Sequence, residues 1–232
     1  MTCNRYGFPG HLPPWNTIFG GFEVNFLPEL KYLHDAGYKI LTYDLRNHGL
    51  SGSANGVTSG LGLLECRDVV ESIRYAKGRK ELTAMTTGLY SRCMGGNSTV
   101  IALVKWPEEF MQIQALVLLN VVSGKTFIER GAENLHLDPK KAAGQLDQRL
   151  RELTGFHLDE ETPLPCAKHV MIPTLMAQLR RDFLIHAEKD GQAIFDGLGG
   201  AAEGTAVDRG IEPAFLRLQP FRATSRALGW LV

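Results

Sequence analysis

Several things are missing from this sequence, and each absence narrows what the chain can be. No uninterrupted apolar run approaches the roughly 20 residues that a membrane-spanning helix requires. Charge of one sign is missing too. The 25 basic and 25 acidic residues cancel, which removes the electrostatic ground for expecting nucleic acid or an anionic membrane as partner. The opening residues hold no basic stretch followed by an apolar one, so no signal peptide is readable. Cysteine is sparse: Cys3, Cys66, Cys93 and Cys166 form no CxxC pair. That pattern predicts reduced thiols in a cytoplasmic protein rather than a disulfide framework. No His/Cys/Asp cluster has ligand spacing, so neither a metal nor an organic cofactor is expected. No internal repeat is visible, and no histidine follows His186.

What is present suits one soluble domain with a substantial core: 232 residues, 44% apolar and 22% charged. Met1 to Trp15 is rich in Gly and Pro and reads as loop. Val24 to Ala36 alternates apolar and charged residues at helical spacing and stops at Gly37. Tyr38 to Tyr43 is β-branched and aromatic, a buried strand. Asp44 to Val57 reads as loop and Leu63 to Lys77 as helix. A strand is predicted over Leu82 to Tyr90, a helix over Ser98 to Lys105, and a strand over Ile113 to Val122, whose apolar run lacks alternation. Gly124 to Lys168 predicts two or three more polar helices, Val170 to Leu179 a strand, and Ala187 to Asp196 a helix. Strands without alternation, separated by helices, predict a parallel sheet wrapped on both faces.

Functional groups in such sheets gather beyond the carboxyl ends of the strands. Three segments there carry chemistry: Asp44-Leu45-Arg46-Asn47-His48-Gly49, the stretch Ser91-Arg92-Cys93-Met94-Gly95-Gly96, and Arg180-Arg181-Asp182. In the second, small residues flank Cys93 at two before and two after, as a strained strand-to-helix turn requires. A thiol at a helix N-terminus is favoured as thiolate, and the Met94 amide points where an oxyanion would develop. Cys93 is therefore a candidate nucleophile, although free cysteine is also a common buried residue. Asp182 either serves such a site or caps the following turn. Arg92 either lowers the thiol's pKa or lies on the surface. His11, His34, His136, His157 and His169 read as surface or core residues, and His186 as solvated.

Through these segments the chain resembles the α/β-hydrolase fold family over residues 1–198. YDLRNHGLSG resembles the loop after that family's fourth strand, and SRCMGGN its nucleophile elbow with Cys for the usual Ser, a replacement also resembling dienelactone hydrolases. PTLMAQLRRDFLIH resembles the strand and turn that deliver the acid. The resemblance implies an α/β fold: a doubly wound, mostly parallel sheet of α/β-hydrolase type with a small helical lid at 124–168. It implies Cys93 as nucleophile, Asp182 as triad carboxylate, and Met94 with the Gly7-Phe8 loop as oxyanion donors. The strands that precede that loop in the family, and the segment bearing its histidine, have no counterpart here. His48 is then the available base.

The tail 199–232 shows no strand of the expected kind and is expected to be out of frame. With synonymous codons chosen for Ala202 to Leu228, a one-base shift reads P-R-E-L-L-W-I-E-G-S-N-Q-R-F, which resembles the missing strand and turn. Three functions stay open: hydrolysis of a small-molecule carboxylic ester or thioester through Cys93, a non-catalytic binding protein of the same fold, or a truncated inactive product. The oligomeric state is not legible.

Overall fold

The structure is a computed structural model that describes residues 27–48, 50–54, 56, 59–180, 182, 184–207 and 230–231. The unalternating strands find the environment they require. Strands β1 (Lys39–Ile40), β2 (Thr87–Arg92), β3 (Ile113–Leu119), β4 (Thr174–Leu179), β5 (Ala202–Val207) and β6 (Trp230–Leu231) make a sheet ordered β1-β6-β2-β3-β4-β5. Every pairing among the described strands is parallel. The doubly wound parallel architecture expected from the sequence is the one observed.

Alternate residues of the central strands enter two different cores. Leu89, Leu116, Leu118 and Met176 pack with helices α2 (Cys66–Lys77) and α3 (Met94–Lys105) through Val69, Ile73, Val100 and Ile101. Tyr90, Val117 and Leu175 point the other way, onto Leu33 of helix α1 (Leu27–Asp35). Both faces of β3 are covered, so no polar alternation survives in its sequence.

Helices α4 (Gly124–Asn134) and α5 (Pro139–Thr154) leave the sheet between β3 and β4. Their signals are local: the Asp138 carboxylate accepts from Lys141 N at 3.0 Å, Pro139 opens α5, and Gly155 at φ 81° ends it. This insertion has a small core of its own, built from Ile128, Ala143, Leu150 and Leu158. The charged residues of Gln148 to Glu152 face solvent around the buried Leu150.

Several boundaries move. The segment Leu82–Met85 is turn, closed by Leu82 N to Arg79 O and Met85 N to Leu82 O at 2.9 Å each, and β2 begins only at Thr87. The strand expected over Tyr38 to Tyr43 pairs only at Lys39–Ile40. The helix expected over Ala187 to Asp196 opens as a π-helical turn (Ala187–Gln192) and becomes α6 at Ala193–Asp196.

The expectation that 199–232 holds no strand of the expected kind is overturned, because β5 pairs in parallel with β4 along six residues and β6 lies between β1 and β2. Small residues hid β5. A Cβ on Gly204 would stand 2.7 Å from the Phe195 ring of α6, so smallness there serves close packing.

Candidate active site

At the carboxyl end of β2 the chain reverses from strand to helix through one residue. Cys93 adopts φ 51° and ψ −123°, a conformation that costs a non-glycine residue about 1–3 kcal/mol and persists only where the surroundings impose it. Its N–H donates to Leu119 O at 2.7 Å, extending the β2–β3 ladder. Its carbonyl accepts from Gly96 N at 2.9 Å and Asn97 N at 3.2 Å, which opens α3. Residues Met94 to Leu103 of that helix are buried, so the elbow has a rigid base.

Small residues are needed around it. Ser91 is buried, with its hydroxyl 2.8 Å from Thr99 Oγ1. A Cβ on Gly96 would sit 2.5 Å from Val121 Cγ1. Met94 is the first residue of α3, and the first amides of a helix lack intrahelical acceptors. The Cys93 side chain is half-buried. Burial pushes the thiols of Cys66 and Cys166 upward in pKa, away from the reactive thiolate.

The other expected residues fall on either side. The described strands run parallel, so the loops after β1, β2 and β4 share one edge of the sheet, with β2 between the other two. At about 4.8 Å per strand, β4 lies roughly 10 Å from β2, and β1 lies roughly 19 Å from β4. The loops that carry His48, after β1, and Asp182, after β4, therefore leave the sheet on opposite sides of β2.

His48 is buried, and its Nδ1 is 2.7 Å from Arg46 O. A carbonyl can only accept, so Nδ1 carries the hydrogen of this bond. The loop bearing His48 is clamped by Arg46, whose side chain grips Asp68 of α2 at 2.7–3.1 Å and whose N–H reaches the same carboxylate at 3.0 Å. Asp182 Oδ1 accepts from Leu184 N at 2.7 Å and Ile185 N at 3.0 Å, capping its own turn. Arg92 turns away to Glu29 of α1 at 2.8 Å, and Tyr90 donates to the other oxygen of that carboxylate at 2.8 Å. Gly7 and Phe8 lie outside the described residues.

Four buried polar residues were missed by sequence reasoning, and three of them, Asn97, Glu65 and Asp190, tie loops and helix starts together. Asn97, fully buried, donates to Leu61 O at 2.9 Å and Val122 O at 2.6 Å and accepts from Val122 N at 3.2 Å. It ties the first turn of α3 to two loops. Glu65, also fully buried, accepts from Gly60 N, Gly62 N and the Ser59 hydroxyl at 2.8–3.2 Å. Asp190 accepts from Ser123 N, the Thr126 hydroxyl and His186 N, joining the segment after β4 to the start of α4. Glu161 is buried, and that burial together with the charge of Glu65 pushes its carboxyl up to about 8. No periodicity marks such residues, because their burial depends on partners distant in sequence. The positive φ of Leu61, Cys93 and Asn120 belongs to the same region. Among the described residues no group of three or more His, Cys, Asp or Glu could hold a metal, and no helix is long and apolar enough to cross a membrane.

Solved esterase structures are among those with a similar fold. An acetyl xylan esterase from Paenibacillus sp. R4 superposes with a TM-score of 0.63 at 15% identity, over 88% of this chain and 70% of that one. An esterase from Pyrococcus furiosus gives 0.57 at 18%, over 86% and 72%. An esterase from Exiguobacterium antarcticum gives 0.55 at 15%, over 86% and 84%. At such identities the likeness is one of fold. The Bacillus subtilis protein YqkD, described as uncharacterized, is 30% identical over 99 residues, which cover 39% of this chain and 31% of that protein. The chain thus spans about a third of the length of that curated relative. No protein-family model matches.

Proposed function

We propose that this chain, an α/β-hydrolase fold with cysteine at its strand-to-helix elbow, hydrolyses a carboxylic ester or thioester of a small molecule. The observation that carries the reading is the backbone of Cys93, held at φ 51° and ψ −123° on a buried helix. Strain of this kind, imposed by neighbours at the end of a strand, is characteristic of a residue placed for chemistry. The esterases of similar fold support the same reaction class.

In this mechanism the Cys93 thiolate attacks the acyl carbon, and the carbonyl oxygen gains the negative charge. The Met94 N–H stabilises that charge, with the Gly7-Phe8 loop proposed as second donor. Collapse expels the alcohol or thiol, which takes up a proton, and leaves a thioester on Cys93 that water then hydrolyses. His48 Nε2 is the proposed base. Its tautomer is set by Arg46 O, so the orienting task of a triad acid is met by a backbone carbonyl. Asp182 would then act on the field of the site rather than by holding His48.

Hydrolysis of p-nitrophenyl acetate and of an acyl thioester by wild type and Cys93→Ala tests this. Wild type should turn over substrate and carry a trappable acyl group on Cys93, and Cys93→Ala should fall to the buffer rate. Equal rates for the two proteins remove the enzyme reading. They would favour a non-catalytic binding protein, for which the capping of its own turn by Asp182 is the supporting observation.

A further inference from the structure

The helical insertion joins the sheet through two stems that touch. On the outgoing stem are Ser123 and Gly124, and on the returning stem Glu161 and Thr162. Gly124 N donates to Glu161 O at 2.7 Å, and the Ser123 and Thr162 hydroxyls are 2.7 Å apart. The contact is tight enough that a Cβ on Gly124 would lie 2.9 Å from both Cβ and Oε2 of Glu161. Within this neck Glu161 is only 4% exposed, and its Oε1 is buried with no hydrogen-bond partner. A buried ionised carboxylate without donors is costly, whereas a neutral carboxyl tolerates such a place.

The groups around the neck make ionisation harder still. Glu65, from the start of α2, is the charged residue acting on Glu161 among the described residues, and it repels. Asp190, from the π-helical turn, is the other buried carboxylate at the neck and bonds Ser123 N and Thr126. Lys125, the cation on the outgoing stem, is drawn outward to Asp159 at 3.0 Å.

We propose that Glu161 is a pH-sensitive latch on this neck, closed while its carboxyl is protonated and released when it ionises beside Glu65. Burial and the Glu65 charge place its midpoint at about 8, against an ordinary value of 4.5. Once ionised, Oε1 gains the solvation it lacks only if the stems part. Helices α4 and α5, which share their own core, then move together. The latch stands apart from the reaction proposed above and holds or fails whether or not Cys93 is a nucleophile.

Hydrogen exchange of the full chain between pH 6.5 and 9, corrected for intrinsic exchange, tests it. In wild type the stem peptides 121–127 and 158–163 should lose protection above pH 8, by roughly tenfold per unit, while β3 stays unchanged. Glu161→Gln should keep the stems protected throughout. A carbon-13 titration of the Glu161 carboxyl gives a second reading that needs no variant, since its midpoint must coincide with the loss of stem protection. A midpoint near 4.5, or a midpoint near 8 with stem exchange identical in wild type and Glu161→Gln, overturns the latch.

Discussion

Asn97 offers a demanding test of how the candidate site is held. Its amide donates twice, to Leu61 O and Val122 O, and accepts once, from Val122 N, with the residue fully buried. Replacement by Leu preserves most of the volume but strands two carbonyls and one N–H. At about 1 kcal/mol for each bond the loss is roughly 3 kcal/mol. For a chain of this length that lowers Tm by roughly 6–12 °C. Replacement by Asp is the sharper perturbation, because its shape is nearly identical. The carboxylate still accepts from Val122 N, but oxygen now faces oxygen where the wild-type bonds are 2.9 and 2.6 Å. Its loss at neutral pH should exceed that of Leu, at about 4–6 kcal/mol. The pH dependence has a definite sign. The crowded carboxylate has a raised pKa when folded, so protonation restores a donor and the deficit of Asn97→Asp shrinks as pH falls. Urea denaturation at pH 5 and pH 7, followed by far-ultraviolet circular dichroism, measures both variants. An Asn97→Asp protein as stable as wild type at pH 7, or deficits for Asp and Leu that are equal and independent of pH, would refute the reasoning.

Other consequences are equally open to measurement. Because Glu161 holds its proton when folded up to about pH 8 and releases it near 4.5 when unfolded, wild-type stability should fall as pH rises across that window, by at most about 1.4 kcal/mol per unit. Glu161→Gln should flatten this contribution, and parallel denaturation midpoints for the two proteins at pH 5, 7 and 9 would count against it. Iodoacetamide should label Cys93 well before Cys66 and Cys166, whose thiols burial pushes up, as peptide mass spectrometry would reveal; faster labelling of Cys66 would contradict the assignment. Gly96→Ala forces a methyl against Val121 Cγ1 at 2.5 Å and should cost about 1–3 kcal/mol in denaturation midpoints, together with slower Cys93 labelling; a neutral effect on both would show that the elbow can yield.

The elbow itself was legible in the sequence because its determinants are local. An apolar run, one cysteine, two glycines and a following helix lie within a dozen residues, and the turn at Cys93 follows from them, although α3 begins at Met94, four residues before the helix expected from Ser98. The two-sided burial of β3 was equally legible, since covering both faces erases polar alternation. The Asp-Pro start and Gly stop of α5 are local capping signals as well.

Tertiary structure decided the rest. The small residues of Ala202–Val207 carry no strand signature by themselves and become β5 because β4 supplies the ladder and Phe195 needs Gly204 beside it. The strand order sends the loops of His48 and Asp182 out on opposite sides of β2, an arrangement that no spacing along the chain contains. Asn97, Asp190 and Glu161 look like ordinary polar residues until distant backbone groups and carboxylates are brought to them. What the sequence by itself determined were the elements whose signals span a turn or a strand. The burial and protonation of single polar side chains depend on long-range contacts, and only the assembled fold settled those.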